Sequence, residues 1–405
     1  MKKFVANLVT CLVPVKEWRR KIRAAILRDR FSELNARLDG ISSRFPGLET
    51  RIDGISSRFP GLEKRLDAIE QENKFRWHAF VWNVPGEEDW KSYLITHDMP
   101  EVIRALKEGL DEQSHEIIGQ KVEHVLHLPL LDSAYDKHFR ADSEWEIYCS
   151  ERDREERARC LRDMPNLIER YRGNYTHGHL NDSQYRPHES FYYHHGLVFL
   201  DKETLEYLKG KALVDIGALN GDSAIALSEY GFSKTYMFDL TKSSEKSILD
   251  NVRANGLDFA KYAFYNVAFS DKMGEVFVEK DLPINGGTNM HRLNNRRKLM
   301  REVDRVPVST VDDFFAETTE KIGMIKIDTE GEEFPIIKGA VKTIREHRPI
   351  LSIAIYHCPS QFFELKPFLE KIVKGYKFMI RKLEYVNHFH FNETTLICLP
   401  EEISI

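Results

Sequence analysis

The chain has no C-x-x-C pair, and its five cysteines (Cys11, Cys149, Cys160, Cys358, Cys398) are odd in number and scattered. That excludes a disulfide framework and a structural zinc built on cysteine pairs, and it fits a reducing, intracellular setting. No apolar run approaches the ~20 residues that span a bilayer. The most apolar stretch, residues 4–15, is interrupted by Asn7, Thr10 and Pro14. Charge of one sign is also scarce: the net value of -5 carries none of the basic excess of a general nucleic-acid binder. What remains is ordinary for a protein that buries a core, with 42% hydrophobic and 30% charged residues.

Four regions follow from the pattern. Residues 1–30 pair the short apolar stretch with a basic cluster, Lys16, Arg19, Arg20, Lys21, Arg23, Arg28 and Arg30. A cleaved signal would carry its charges before the apolar part. The readings left are an interfacial segment on an anionic membrane surface and a short helix docked on protein. The chain is accordingly expected in the cytoplasm, peripheral on the inner face of the cell membrane if the first reading holds. Residues 31–75 contain a repeat: the thirteen residues from Arg37 recur from Arg51, a shift of 14, or two heptads. Apolar residues from Leu34 to Ile69 alternate spacings of four and three, as an a/d seam requires. Pro46, Pro60, Gly40 and Gly54 interrupt it, so the expectation is a kinked stalk joining copies of the chain, or else short helical turns in a spacer.

Residues 76–188 are expected to be mostly helical, notably over 100–110 and 150–172. Phe75, Trp77, Phe80, Trp82 and Trp90 read as packing. From residue 189 a different domain begins. Strands are expected at 212–216, 234–239, 262–270, 274–279, 322–328, 349–356, 376–382 and 394–399, with helices at 222–230, 243–255, 333–345 and 361–374. This alternation predicts an α/β, Rossmann-like domain with a mainly parallel sheet and helices on both faces. Ligands then bind beyond the carboxyl ends of the strands.

The sequence places polar residues at those ends: Asp215, Asp239, Asn266 with Asp271, Asp328 with Glu330, and His357. The first strand runs into a turn, Asp215-Ile-Gly217-Ala218-Leu-Asn-Gly221-Asp222-Ser223, that opens a helix. Asp239 follows Gly217 by 22 residues, the place of the acid that holds a ribose diol. Leu219 stands where a G-x-G-x-x-G turn has its second glycine, so a pyrophosphate cradle is not supported. A ligand with one ribose and no phosphate fits better, and S-adenosylmethionine is the common case.

With these residues the chain resembles the FkbM family of S-adenosylmethionine-dependent methyltransferases, from about residue 189 to 400. The carriers are Val214-Asp-Ile-Gly-Ala-Leu-Asn-Gly221, Asn266-Val-Ala-Phe-Ser-Asp271, Ser309-Thr-Val-Asp312 and Ile325-Lys-Ile-Asp-Thr-Glu-Gly-Glu-Glu333. The second strand departs from the family's F-E-P, reading Phe238-Asp239-Leu240. The resemblance implies an O-methyltransferase acting on a sugar hydroxyl of a surface glycan or glycolipid precursor. A catalytically inactive scaffold of the same fold is the alternative. It further implies that Gly217, Ala218, Gly221, Asp222 and Ser223 border the methionine part of the cofactor, that Asp215 orients its amino group and Asp239 its ribose, and that Asn266, Ala268 and Asp271 lie by the adenine. Asp328, Glu330 and His357 are the candidate bases. His194 and His195 are candidate substrate contacts. With His177, His179, His388 and His390 they lack zinc-like spacing, so no metal is expected. The segment 283–305, rich in Gly, Asn and Arg, is either a substrate flap with Arg292, Arg296 and Arg297 for a phosphate or a solvated insertion.

Overall fold

A computed structural model describes residues 90–132, 150–171, 188–279, 303–385 and 393–403. The apolar–basic segment, the repeat, the aromatic residues before Trp90, His177, His179, His388, His390 and most of the Arg-rich segment lie outside them.

The chain divides into two compact units. The described part of the first covers 90–104 and 125–132. Within it, the imidazole of His97 stacks on Tyr93 with ring centres 3.8 Å apart. The second unit holds the remaining described residues.

Among the described residues, α1 (Trp90–Thr96), α2 (Met99–Lys107), α3 (Glu112–Asp132) and α4 (Glu151–Tyr171) precede the sheet. The second and fourth match the helices expected over 100–110 and 150–172. In the second unit, the starts of α3 and α4 are tied to the last part of the sheet by ion pairs, of which the second is buried. Asp111, just before α3, pairs with Arg381 at 2.5 Å, and Asp153 of α4 pairs with Lys382 at 3.1 Å.

The main sheet has seven strands in the order β3-β2-β1-β7-β8-β10-β9. They are β1 (Ala212–Ile216), β2 (Lys234–Phe238), β3 (Tyr262–Tyr265), β7 (Ile322–Ile327), β8 (Ile350–Ala354), β9 (Tyr376–Lys382) and β10 (Thr394–Pro400). The first five pair in parallel, and β10 runs antiparallel to both β8 and β9. Strands β1, β7 and β8 are buried along their whole length, which is why they read as mainly apolar runs, each with a single polar or charged residue, rather than alternating ones. The expected α/β domain with a mostly parallel sheet is what forms. The strand order reverses between β1 and β7, the place beyond whose carboxyl ends ligands bind in sheets of this kind.

Three expectations need correction. The single strand over 262–270 is two: β3 in the main sheet and β4 (Ala268–Phe269) in a separate three-stranded sheet with β5 (Gly274–Glu279) and β6 (Val303–Ser309). The break falls at Asn266, whose side-chain amide donates to the carbonyl of Asp239 at 2.9 Å and turns the chain away from β2. The segment expected as a loop to residue 305 ends earlier, because β6 begins at Val303 and pairs with β5. The helix over 333–345 is two pieces, here α9 (Glu333–Lys338) and α10 (Val341–His347), once α5 (Lys202–Glu206), α6 (Asp222–Ala226), α7 (Ser243–Ala254) and α8 (Val311–Phe314) are counted. A Cβ on Gly339 would lie 2.3 Å from the Ser270 carbonyl, so the small sheet occupies the place of a side chain. Asp312 then caps the second piece, accepting from the N–H groups of Lys342 (3.0 Å) and Thr343 (2.7 Å). The last helix, α11 (Pro359–Ile372), starts with proline at its first position.

Candidate active site

Asp215 on β1 and Lys326 on β7 are register partners in parallel strands, so their side chains share one face. Their charged atoms are 3.2 Å apart and nearly sealed from solvent. The Lys326 ammonium also donates to the Gly217 carbonyl at 2.8 Å. Burial alone would lower its pKa, but Asp215, Asp328 and Glu189 outweigh that and hold it above the ordinary value. Neither carboxylate oxygen of Asp215 accepts a hydrogen bond among the described residues.

The turn after β1 is fixed by its neighbours. The N–H groups of Gly217 and Ala218 both donate to the Phe238 carbonyl at the end of β2 (2.9 and 3.0 Å). Gly217 has φ +85°, and a Cβ there would stand 1.7 Å from the backbone oxygen of Asp328. Gly221 has φ +83°, and a Cβ there would meet the Ile248 backbone of α7 at 3.3 Å. Both glycines are therefore required by protein packing, whatever ligand lies above them. Ala218 is buried among Ala224, Met237, Ile248 and Val252. Asp222 accepts from the Ser190 hydroxyl at 2.8 Å and from the Ser223 N–H at 2.8 Å, and Ser223 is buried.

Asp239, just past β2, accepts from the Leu219 N–H (3.0 Å), the Thr241 N–H (2.7 Å) and the Ser244 hydroxyl (3.2 Å). It thus clasps the glycine turn from the neighbouring strand. Burial pushes its carboxyl up to about 6 against these donors. Leu219 is held at φ +46°, a region that non-glycine residues rarely occupy. Asn266 tethers the end of β2, as described. Ala268 packs with Val276, Val278 and Val306 inside the small sheet. Asp271 is exposed and adds its charge to that of Glu333 beside Glu332, whose carboxyl burial first and these neighbours next push up to about 7.

Beyond β7 and β8 lies a cluster of acids around one imidazole. His357 is about 1% exposed, with Nδ1 3.0 Å from Glu333 and Nε2 3.6 Å from Asp328 and 3.5 Å from Glu330. Burial lowers its pKa, yet Glu333, Glu330 and Asp328 together raise it to about 10. The three carboxylates thus favour the charged ring, which weakens the case for His357 as base. Asp328 differs. Burial and the charge of Glu189 push its carboxyl up to about 7, with Lys326 and His357 opposing. The Tyr356 hydroxyl lies 3.4 Å from Asp328 Oδ1. Glu330, at φ +60°, closes the turn. Glu333 is held down by burial's opponents, His357 first and the Thr329 N–H after it. It accepts from the N–H groups of Thr329 (2.7 Å) and Gly331 (3.1 Å) and from the Gln361 amide.

The turn before the sheet reaches the same place. His194 and His195 have φ +46° and +50°, ahead of Gly196. A Cβ on Gly196 would strike Ile397 at 2.4 Å. His195 Nδ1 is 3.4 Å from Glu189, a carboxylate whose pKa burial raises and whose neighbours His195, Lys326 and His357 more than offset. His194 faces outward from this group, within 2.7 Å of the Tyr230 hydroxyl, and burial depresses its pKa against Glu229. The structure thus gathers His195, Asp215, Asp328, Glu330 and His357. Glu189, Lys326, Glu333, Tyr356 and Glu393 join them, though the sequence reading gave them no role. Burial and the charges of Glu189 and Asp328 hold the Glu393 carboxyl well above its usual range. Lys326 had a visible signal, a lone cation in an otherwise apolar strand. Glu393 had none.

Residues 215–388 match the family model described as the methyltransferase FkbM domain. No curated protein matches. Among solved structures the chain is similar to an FkbM methyltransferase from Methylobacillus flagellatus KT, at 17% identity and a TM-score of 0.43, over 76% of this chain and 60% of that one. It thus spans about 60% of that relative's length. It is also similar to an rRNA methylase from Streptococcus thermophilus (14% identity, TM-score 0.30, 49% of this chain and 92% of that one). A third is a ribosomal protein L11 methylase from Lactobacillus delbrueckii subsp. bulgaricus (12%, 0.28, 49% and 76%). With TM-scores this low, the assignment rests on the family match and on the motifs at the strand ends. Residues 215–388 are similar to the methyltransferase domain of the FkbM family.

Proposed function

We propose that this domain transfers a methyl group from S-adenosylmethionine to a hydroxyl oxygen of a sugar, in a glycan or glycolipid precursor. The observation that carries the donor is the pair Asp215 and Asp239 on either side of the glycine turn. Asp215 is buried beside the Lys326 ammonium, 3.2 Å away, yet neither of its oxygens accepts a hydrogen bond from the described residues, so it keeps acceptor capacity for the donor's amino group. Asp239 sits at the end of β2, partly open, where a diol is held. When bound, S-adenosylmethionine supplies a methyl carbon made electrophilic by its sulfonium.

The chain's own residues must then hold an acceptor oxygen in line at about 3–3.5 Å and take up its proton. Asp328 supports the second role: it follows β7, one strand away from the glycine turn, and its side chain is about 20% exposed. His195 and Glu189 border the acceptor side. The sugar acceptor rests on the family's usual chemistry. The basic residues of 1–30 support attachment near a membrane surface where carrier-linked substrates are made.

The test is isothermal titration of the full chain with S-adenosylmethionine, comparing wild type with Asp239→Ala. Saturable binding by wild type and at least tenfold weaker binding by the variant are expected. No heat of binding in either overturns the reading.

A further inference from the structure

Lys326 is the odd residue of β7. It is the one charged side chain in a strand that is buried from end to end. An unpaired cation there would be costly, and an apolar residue would fill the position at no such cost. Its ammonium donates to the Gly217 carbonyl at 2.8 Å and stands 3.2 Å from Asp215 Oδ1. Asp215, Asp328, Glu189 and Asp222, in that order, favour its charge against burial. Asp215 and Asp222 lie at the two ends of the glycine turn.

We infer that Lys326 is a positioning residue for the amino-acid end of the methyl donor, acting through Asp215. This role rests on the methyl-donor reading of the glycine turn. The division of its contacts is the reason. The Gly217 carbonyl takes the hydrogen bond and so fixes where the ammonium sits. Asp215 receives the counter-charge at close range, yet both of its oxygens stay without a hydrogen bond among the described residues. Register keeps this geometry, because Asp215 and Lys326 are partners across parallel strands and the backbones of β1 and β7 set their separation. The buried carboxylate is thus steadied by a fixed cation, while its lone pairs stay available to a ligand's ammonium.

The lysine does not close the turn to a second positive charge. Asp215, Asp328, Glu189 and Asp222 outnumber the Lys326 ammonium and the His357 ring beside Asp328. The balance around the turn is therefore negative, and a ligand's ammonium is attracted to it. A lysine that served packing alone would need neither the Gly217 anchor nor an acid with unspent oxygens.

The experiment titrates the full chain calorimetrically with S-adenosylmethionine and with methylthioadenosine, which keeps the nucleoside and lacks the amino-acid part. Wild type is compared with Asp215→Asn, Lys326→Met and the double variant. Lys326→Met should weaken S-adenosylmethionine at least tenfold and leave methylthioadenosine within twofold of wild type. The double variant should bind S-adenosylmethionine no more weakly than Asp215→Asn alone, since a residue that acts through Asp215 then has nothing to act on. If Lys326→Met fails to fold with Asp215 left unpaired, the double variant removes both charges and still gives the comparison with Asp215→Asn. Equal losses for the two ligands, unchanged S-adenosylmethionine affinity in Lys326→Met, or a further tenfold loss in the double variant each overturn the lysine's role and leave the donor reading standing. Wild type that binds neither ligand overturns both.

Discussion

At the scale of single residues, the site depends on carboxylates that differ by environment. Asp239 illustrates it. Its carboxyl is raised to about 6 by burial, so it takes up a proton in mildly acidic solution, where an ordinary aspartate is still charged. A protonated carboxyl loses half of its capacity to accept from a diol. The affinity for S-adenosylmethionine should therefore fall as pH drops through about 6, and it should be nearly flat there in Asp239→Asn. Calorimetric titrations between pH 5 and 8 check this, and a wild-type affinity that is level across the range would contradict it. Motif reading found Asp239 because its spacing from Gly217 is a sequence quantity. The partners that favour a charged His357 come from the turn after β7, a neighbouring strand, and no local pattern shows them.

At the scale of elements, strands separated by turn residues were legible wherever burial was complete. β1, β7 and β8 read as apolar runs, each broken by one polar or charged residue (Asp215, Lys326 and Ser352). The misread elements share a cause. The breaks at Asn266 and Gly339 are imposed by contacts with distant segments, Asp239 and Ser270 respectively, and no local pattern encodes them. The docking of α4 on β9 was equally invisible, since Asp153 and Lys382 are far apart in sequence. The Asp153–Lys382 pair is buried, and Ser150 and Gln120 complete the acid's hydrogen bonds. Burial raises the Asp153 pKa, but Lys382 and these donors bring it below the usual value. That stabilisation is present above the unfolded carboxyl's pKa and is lost as pH falls through the lower, folded value. Removing only the cation, in Lys382→Met, should destabilise the fold by about 3–5 kcal/mol because a buried charge is left unpaired. Adding Asp153→Asn should restore much of the loss. Urea denaturation of both variants decides it, and a single variant as stable as wild type would refute the pairing argument.

At the scale of the whole molecule, the family match begins at residue 215 and ends at 388, and the chain is much longer than that domain. The seven-residue seam of residues 31–75 supports self-association, which is proposed here on sequence grounds. Deleting 31–75 should reduce the mass measured by light scattering to that of one chain while leaving donor affinity unchanged. An unaltered mass would locate association elsewhere. Among the described residues no helix is long and apolar enough to cross a membrane.

The Gly217–Asp328 contact links two strand ends that lie more than a hundred residues apart in the chain. With the Asp328 carbonyl filling the space of a missing side chain, the turns after β1 and β7 act as a single calibrated gauge. Neither can be lengthened or reseated without displacing the other, so any substitution at Gly217 is felt at both strand ends at once.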